Sequence, residues 1–375
     1  MDAKRILLLL PEAFEGAGGI QMFCRSLCLA AGRWAEQNEA SVSAIVLNDA
    51  ARPDSRYVNG GFDTYVRAGR SKAKFIASYL RLLATCKPDA IVVGHISLAP
   101  LALLPAWLGR PIQFCIVAYG IEVWQPLKRA ESRALQAAQT VLAISRYTRD
   151  ELLKHNRLDP EKIKLFPCAL DPCWTADEGP PEPAANPPML LTVARLESGD
   201  DYKGVDSVIR SLPAVLRQFG PVDYRIVGDG NDLPRLQALA EQCGVAASVT
   251  FAGRVSEAEL RQYYRRCSLF VMPSEREGFG IVFLEAMAYA KPVIGGAHGG
   301  TPSVVTHGET GLLVQRLDIE GLTQALLRML NSDDLRADFG RAGYQRLRET
   351  FTFRNFEANF KEFMETALRA GRRPQ

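Results

Sequence analysis

Cysteines at metal-binding spacing are missing from this 375-residue chain. The eight present, at 24, 28, 86, 115, 168, 173, 243 and 267, are scattered, with no Cys-x-x-Cys pair and no Cys/His cluster of zinc spacing. They read as buried free thiols in a reducing cytosol. An excess of one charge is missing too. The 45 basic and 42 acidic side chains leave a formal net charge of +3, too little to imply a nucleic-acid partner. A long apolar run is absent from the N-terminus: "RILLLL" is broken at Pro11. It is too short for a signal peptide or a membrane span and suits a buried first strand.

What is present is a repeated pattern. The length accommodates two domains, and 47% hydrophobic with 23% charged residues is ordinary for globular cores. "RILLLL", "SVSAIVLN", "AIVVGHI", "IQFCIVAYG" and "TVLAIS" are short apolar runs separated by helical or loop sequence. Such alternation predicts βαβ units around a buried parallel sheet. The stretch "DPCWTADEGPPEPAANPP" has no apolar periodicity and reads as a linker. The pattern then restarts with "MLLTVARL", "DYRIVGDG", "SVTFAGRV", "CSLFVMPS" and "KPVIGG". The expected architecture is therefore α/β: a Rossmann-like domain over 1–172, a Pro-rich linker over 173–188 and a second Rossmann-like domain over 189–350. A C-terminal amphipathic helix over 351–375, with Phe at 351, 353, 356, 360 and 363, is expected to cover apolar surface.

Ligands of doubly wound sheets bind beyond the carboxyl ends of the strands, and the candidate residues fall there. Gly18 and Gly19 follow the first strand. Arg195 follows "LLTVA" and Lys203 lies before the next helix; Gly228, Gly230 and Gly253 close later strands. Two cations near a helix N-terminus suit a diphosphate, although a pair of solvated surface charges fits the spacing as well. "GFGIVFLEAMA" reads as a glycine loop entering a helix near Ile281. The N–H groups of Gly280, Ile281 and Val282 would then face an anion. Glu277 before the loop and Glu285 one turn into the helix could each hold polyol hydroxyls. The bland alternative is a loop charge and a helix-surface acid.

With these stretches quoted, the chain resembles the retaining GT-B glycosyltransferases of family 4. The matching segments are "GAGGIQMF", "YGIEVW", "AISRYTRDEL", "VARLE…YKG", "YRIVGDG", "FAGRV", "PSEREGFGIVFLEA", "KPVIGG…GG" and "GETGLLV", spread over nearly the whole chain. The resemblance implies two domains facing across a cleft, with the terminal helix crossing back to the first. It implies that Arg195 and Lys203 neutralise a donor diphosphate and that Gly19 lets the first domain approach it. Glu277 would contact the transferred sugar and Glu285 the ribose, with Gly228, Gly278 and Phe279 lining the same nucleotide-sugar site. Gly253, Arg254 and Val255 would meet the base, largely through backbone. Departure of the nucleoside diphosphate would be followed by attack on the same face, and closure about the linker would exclude water.

Two departures are visible. Tyr119 stands in "AYGIEVW" where many relatives carry His, and Ser303 stands in "GGTPSVV" where relatives often carry Glu. Tyr119 could donate a hydrogen bond to a donor sugar but cannot act as a base near pH 7. His95 and Glu122 could touch an acceptor, or be a structural histidine and an ion-paired acid. No Asp-x-Asp follows a strand beside a phosphate loop, so no metal and no other cofactor is expected. Arg67, Arg70, Lys72, Lys74, Arg81 and Lys87 make the acid-free segment 67–87 a basic amphipathic helix, for an anionic membrane face or simply for solvent. The implied function is transfer of mannose or glucose from a nucleotide diphosphate sugar to a glycan or lipid-linked acceptor. The implied location is cytoplasmic, peripheral at the inner membrane face. "YGIEVW", "SRYTR" and "EGFGIVFLEA" look closer to enzymes using GDP-mannose. A sugar-nucleotide epimerase on the same architecture and a non-catalytic nucleotide-sugar-binding protein are the alternatives. A dinucleotide oxidoreductase fits poorly, because "GAGGIQ" misses the full Gly-x-Gly-x-x-Gly pattern and "LNDA" supplies only an isolated acid.

Overall fold

The computed structural model describes residues 4–16, 18–58, 60–174 and 185–370, with backbone alone at 201, 202, 369 and 370. Most of the expected linker, residues 175–184, lies outside the described residues. The chain forms two compact units, residues 1–172 with 352–375 and residues 173–351.

The first unit is built on seven strands: β1 (Arg5–Leu10), β2 (Ser41–Val46), β3 (Phe62–Arg67), β4 (Ala90–Val93), β5 (Gln113–Ala118), β6 (Thr140–Ala143) and β7 (Ile163–Leu165). They pair in parallel in the order β3-β2-β1-β4-β5-β6-β7, with Ile6 opposite both Val42 and Ala90. The second unit has six: β8 (Met189–Val193), β9 (Asp223–Val227), β10 (Val249–Gly253), β11 (Leu269–Met272), β12 (Val293–Gly296) and β13 (Gly311–Val314). Their order is β10-β9-β8-β11-β12-β13, again parallel. A parallel sheet covered on both faces needs strands that are apolar at nearly every position. That is why Ile6 to Leu10, Ile91 to Val93 and Leu269 to Met272 are buried throughout.

In both sheets the strand order reverses once, between β1 and β4 and between β8 and β11. The loops that leave these strands diverge there and open a crevice at the carboxyl edge.

Helix Phe353–Ala370 belongs to the first unit. Phe356, Phe360 and Met364 are buried, and Phe356 stands edge-on to Phe23 at 5.2 Å and to Phe166 at 4.8 Å. Burying a side chain of this size contributes roughly 1.5–3 kcal/mol, so these residues fix the terminal helix on helix Gly19–Gln37, which carries Phe23. The basic segment needs correction. The helix runs Lys72–Thr85, with Ser71 capping it by accepting from Lys74 N–H. Arg67 ends β3 and donates to Ala50 O at 2.7 Å. Gly69 and Arg70 both adopt positive φ, and that turn separates strand from helix.

Candidate active site

At the reversal of the six-stranded sheet, the loops after β8 and β11 meet. Lys203 Nζ donates to Glu277 Oε2 at 2.5 Å, with each side chain 17% exposed. Arg195 projects from the loop after β8, and its Nε donates to Asp200 Oδ2 at 2.7 Å. Two helices begin here, Val205–Gln218 at Gly204 and Ile281–Ala288 at Gly280, and neither has a side-chain cap. The first N–H groups of a helix have no intrahelical acceptor, so an uncapped start beside two cations favours an anion. Glu277 folds over the second start: a Cβ built on Gly280 would lie 3.4 Å from Glu277 Cγ.

The loops fit because glycines let backbones touch. Gly280 has φ +96°, which an L side chain adopts only with strain. A Cβ on Gly228 would lie 1.8 Å from Ala194 O, and one on Gly230 2.2 Å from Leu196 O, so these glycines press against the loop that carries Arg195. Gly296 and Gly300 do the same for the loop that carries Glu277, where an added Cβ would lie 1.8 Å from Ser274 O and 2.0 Å from Gly278 O. Gly300 N–H donates to Glu277 O at 2.6 Å. Phe279 between them is buried, edge-on to Phe351 at 5.6 Å.

Glu285 is buried, and its Oε2 accepts from the Tyr264 hydroxyl at 2.7 Å. Of the residues expected at the base, Gly253 ends β10 at φ +67° and its O accepts from Gly228 N–H at 2.9 Å. Arg254 is exposed and lies 3.6 Å from Asp229, a contact worth at most about 1 kcal/mol. Val255 is half-buried.

The remaining expected residues lie at the carboxyl edge of the seven-stranded sheet. Gly19 opens helix Gly19–Gln37, whose start at Gly18 has no side-chain cap. Tyr119 turns inward: it is buried, edge-on to Phe23 at 5.2 Å, and its hydroxyl lies 3.5 Å from Cys24 Sγ. Burial holds its phenol well above the usual tyrosine range and pushes the Cys24 thiol up to about 12, so both stay protonated near neutral pH. Glu122 Oε1 accepts from Tyr119 N–H at 2.6 Å and Gly120 N–H at 3.1 Å, which braces the turn after β5. His95 Nδ1 accepts from Ser97 N–H at 3.2 Å, capping the short helix that follows β4.

A bracing residue that the sequence does not reveal as a support lies on the same edge. Asp49, the isolated acid of "LNDA", is fully buried. It accepts from the N–H groups of Ala13, Phe14 and Glu15 and from Tyr65 hydroxyl, at 3.0–3.3 Å, and so fixes the loop after β1. Tyr264, on helix Glu257–Arg266, carries no local signal in the sequence that links it to Glu285. Among the described residues, no group of three or more His, Cys, Asp or Glu stands together as a metal site.

Known proteins resemble this chain over most of its length. Residues 176–346 match the model of the glycosyl transferases group 1, and residues 18–173 match glycosyltransferase family 4. A GDP-mannose-dependent alpha-(1-6)-phosphatidylinositol monomannoside mannosyltransferase of Mycobacterium tuberculosis is 31% identical over 309 residues, 76% of this chain and 77% of that one. The chain belongs to the group 1 glycosyltransferases. The mannosyltransferase of the same description from Mycolicibacterium smegmatis is 29% identical over 92% of this glycosyltransferase and 94% of its own length. Among solved structures, sucrose-phosphate synthase from Thermosynechococcus elongatus superposes with a TM-score of 0.78 at 20% identity, over 98% of this chain and 100% of that one. Anabaena HepE, solved with UDP and glucose, gives 0.75 at 17% identity over 97% and 100%. At such identities the likeness establishes the shared GT-B fold. This glycosyltransferase thus carries the six-stranded crevice with Arg195, Lys203 and Glu277 on that fold.

Proposed function

We propose that this glycosyltransferase moves a hexose, mannose before glucose, from a nucleotide diphosphate sugar to a glycan or lipid-linked acceptor with retention of configuration. The observation that carries the reading is the Lys203–Glu277 pair at the reversal of the second sheet, beside the uncapped helix start at Gly280. An ammonium has three donors. Lys203 can keep Glu277 on one and offer the others to phosphate oxygens, while Glu277 accepts from sugar hydroxyls. Arg195 adds a second cation on the same edge, and Glu285 takes the ribose.

Catalysis in this reading is electrostatic. As the bond from the sugar to the diphosphate breaks, negative charge grows on the leaving phosphate. Arg195, Lys203 and the N–H groups at Gly280 to Val282 stabilise it without reorganising. Holding the acceptor on the same face of the sugar supplies the rest. The cations take the place that a divalent ion holds elsewhere, so turnover is proposed to need no metal.

The acceptor is proposed to be presented at a membrane surface. Helix Lys72–Thr85 exposes Lys72, Lys74 and Arg81 with Ile76 and Leu80, and carries no acid. Tyr79 of that helix donates to Leu101 O at 3.0 Å, and the segment that follows ends in Trp107, 75% exposed, and Leu108, 64% exposed. Basic side chains interleaved with exposed apolar ones, together with an exposed tryptophan, suit an anionic headgroup layer. Among the described residues no helix is long and apolar enough to cross a membrane.

The test is incubation with GDP-mannose or UDP-glucose, with and without a phosphoinositide-containing lipid extract and with EDTA present throughout. Acceptor-dependent release of nucleotide, with an α-linkage in the product by NMR, is expected. Donor conversion without acceptor would instead mark an epimerase, and a β-linkage would remove retention. Activity that appears only after a divalent metal is restored would remove metal independence.

A further inference from the structure

The helix Ile281–Ala288 reads IVFLEAMA, and Glu285 is its one polar residue. An apolar side chain would pack there at less cost, because burying a carboxylate without use is unfavourable. Its neighbour from helix Glu257–Arg266 is Tyr264, buried completely, with the hydroxyl donating to Glu285 Oε2 at 2.7 Å.

The Tyr264 ring is held on several sides. Trp174 meets it edge-on at 5.9 Å, Tyr289 lies parallel at 6.2 Å and Phe270 is tilted at 5.8 Å. Trp174 is itself fixed: the Arg261 guanidinium covers its ring at 5.2 Å, and Arg261 Nη2 donates to Cys173 O at 2.7 Å. The phenol cannot swing away from the carboxylate without breaking this packing. Burial and the adjacent Glu285 hold its pKa well above the ordinary tyrosine range, so it stays a donor.

We propose that Tyr264 is a positioning residue for the donor: its hydroxyl fixes the plane of the Glu285 carboxylate so that the ribose cis-diol of a nucleoside diphosphate meets an oriented acceptor. A glutamate side chain has three free torsions, and hydrogen bonds are strong only when aligned. Fixing one oxygen orients the whole group, and a carboxylate has about four acceptor sites, enough for a phenol and two hydroxyls. The inference rests on the reading of Glu285 as the ribose holder.

The experiment separates the two. The full chain is titrated calorimetrically with GDP and UDP, then with the 2′-deoxy and 3′-deoxy forms of whichever binds more tightly. The wild type is expected to prefer the ribonucleotide by about ten- to a hundredfold. In Tyr264→Phe, which keeps the ring and its packing, that preference should fall to within about threefold, and donor KM should rise more than kcat falls. Trp174→Leu, which loosens the ring but leaves the hydroxyl, should lower the preference partway and keeps the test informative if the phenylalanine variant does not fold. If the wild type discriminates and the variants discriminate equally, Tyr264 only packs and the inference is overturned. If the wild type does not discriminate, or binds neither diphosphate, the ribose reading of Glu285 falls and the inference with it.

Discussion

Lys203 Nζ and Glu277 Oε2 lie 2.5 Å apart although 74 residues separate them in sequence. The pair joins the loop after β8 to the loop after β11 where the strand order reverses. In the function proposed above, these are the two segments that must stay in register for a diphosphate and a sugar to be held at once.

Removing Lys203 tests both its roles. Lys203→Ala should lower kcat by about 10²–10³-fold, the usual effect of deleting one group that stabilises charge in the transition state. It should also leave Glu277 without its cation. Removing one partner of a fully buried pair costs about 3–5 kcal/mol. The 17% exposure of each side chain admits water, so a loss of about 1–2 kcal/mol is expected. Steady-state kinetics and urea unfolding measure the two effects separately.

Gly228→Ala and Gly296→Ala should unfold or misplace the crevice loops although neither residue carries a functional group. Each new Cβ would lie 1.8 Å from a carbonyl oxygen. Gly228 also has φ +139°, which adds a strain of about 1–3 kcal/mol for any other residue. Thermal unfolding should show a lowered midpoint for both. Gly109→Ala, where an added Cβ meets nothing within 4 Å but φ is +76°, should lose only the strain.

His95 should make stability fall on mild acidification. Burial lowers its pKa below the ordinary value of 6.5, against an opposing pull from Glu122 and Glu131. Its Nδ1 is an acceptor from Ser97 N–H, which also favours the neutral ring. Between 6.5 and the lower folded pKa the unfolded chain binds the proton and the folded one does not, so stability drops as pH falls through that window. His95→Asn should flatten this slope in urea unfolding at pH values stepped down from 7, and an unchanged slope would remove the histidine from the account.

Much of the fold was legible because buried parallel strands leave continuous apolar runs, as in "RILLLL" and "AIVVG". The two edge strands of the seven-stranded sheet were not. Phe62–Arg67 is only half-buried, and Ile163–Leu165 exposes Lys164 and Leu165, so neither needs an apolar run. That is why Arg67 reads in sequence as part of the basic helix although it ends β3. In the crevice, residue types and their placement at strand ends marked Arg195, Lys203 and Glu277. Nothing local marked Asp200, Asp49 or Tyr264, whose roles depend on partners brought in by the fold. Asp49 stands in the sequence as a lone acid after the second strand, and only the structure connects it to the loop after β1.

Membrane docking predicts a graded response. Lys72→Glu, Lys74→Glu and Arg81→Glu together should abolish co-sedimentation with anionic vesicles at low salt, since each basic residue near such a surface contributes about 1 kcal/mol. Trp107→Ala should weaken binding and leave its salt dependence in place, because it removes the apolar contact and not the charge. Binding to neutral vesicles equal to that on anionic ones would contradict the basic face.

The claim at the centre is that the second unit grips a nucleotide diphosphate sugar through Arg195 and Lys203. Calorimetric titration of the full chain with GDP-mannose and UDP-glucose, repeated on Arg195→Ala with Lys203→Ala, tests it most directly. The account predicts that the wild type binds one donor with its nucleoside diphosphate competing, and that the double variant, still folded, loses at least about a hundredfold in affinity. Donor binding that is unchanged in the folded double variant would contradict it.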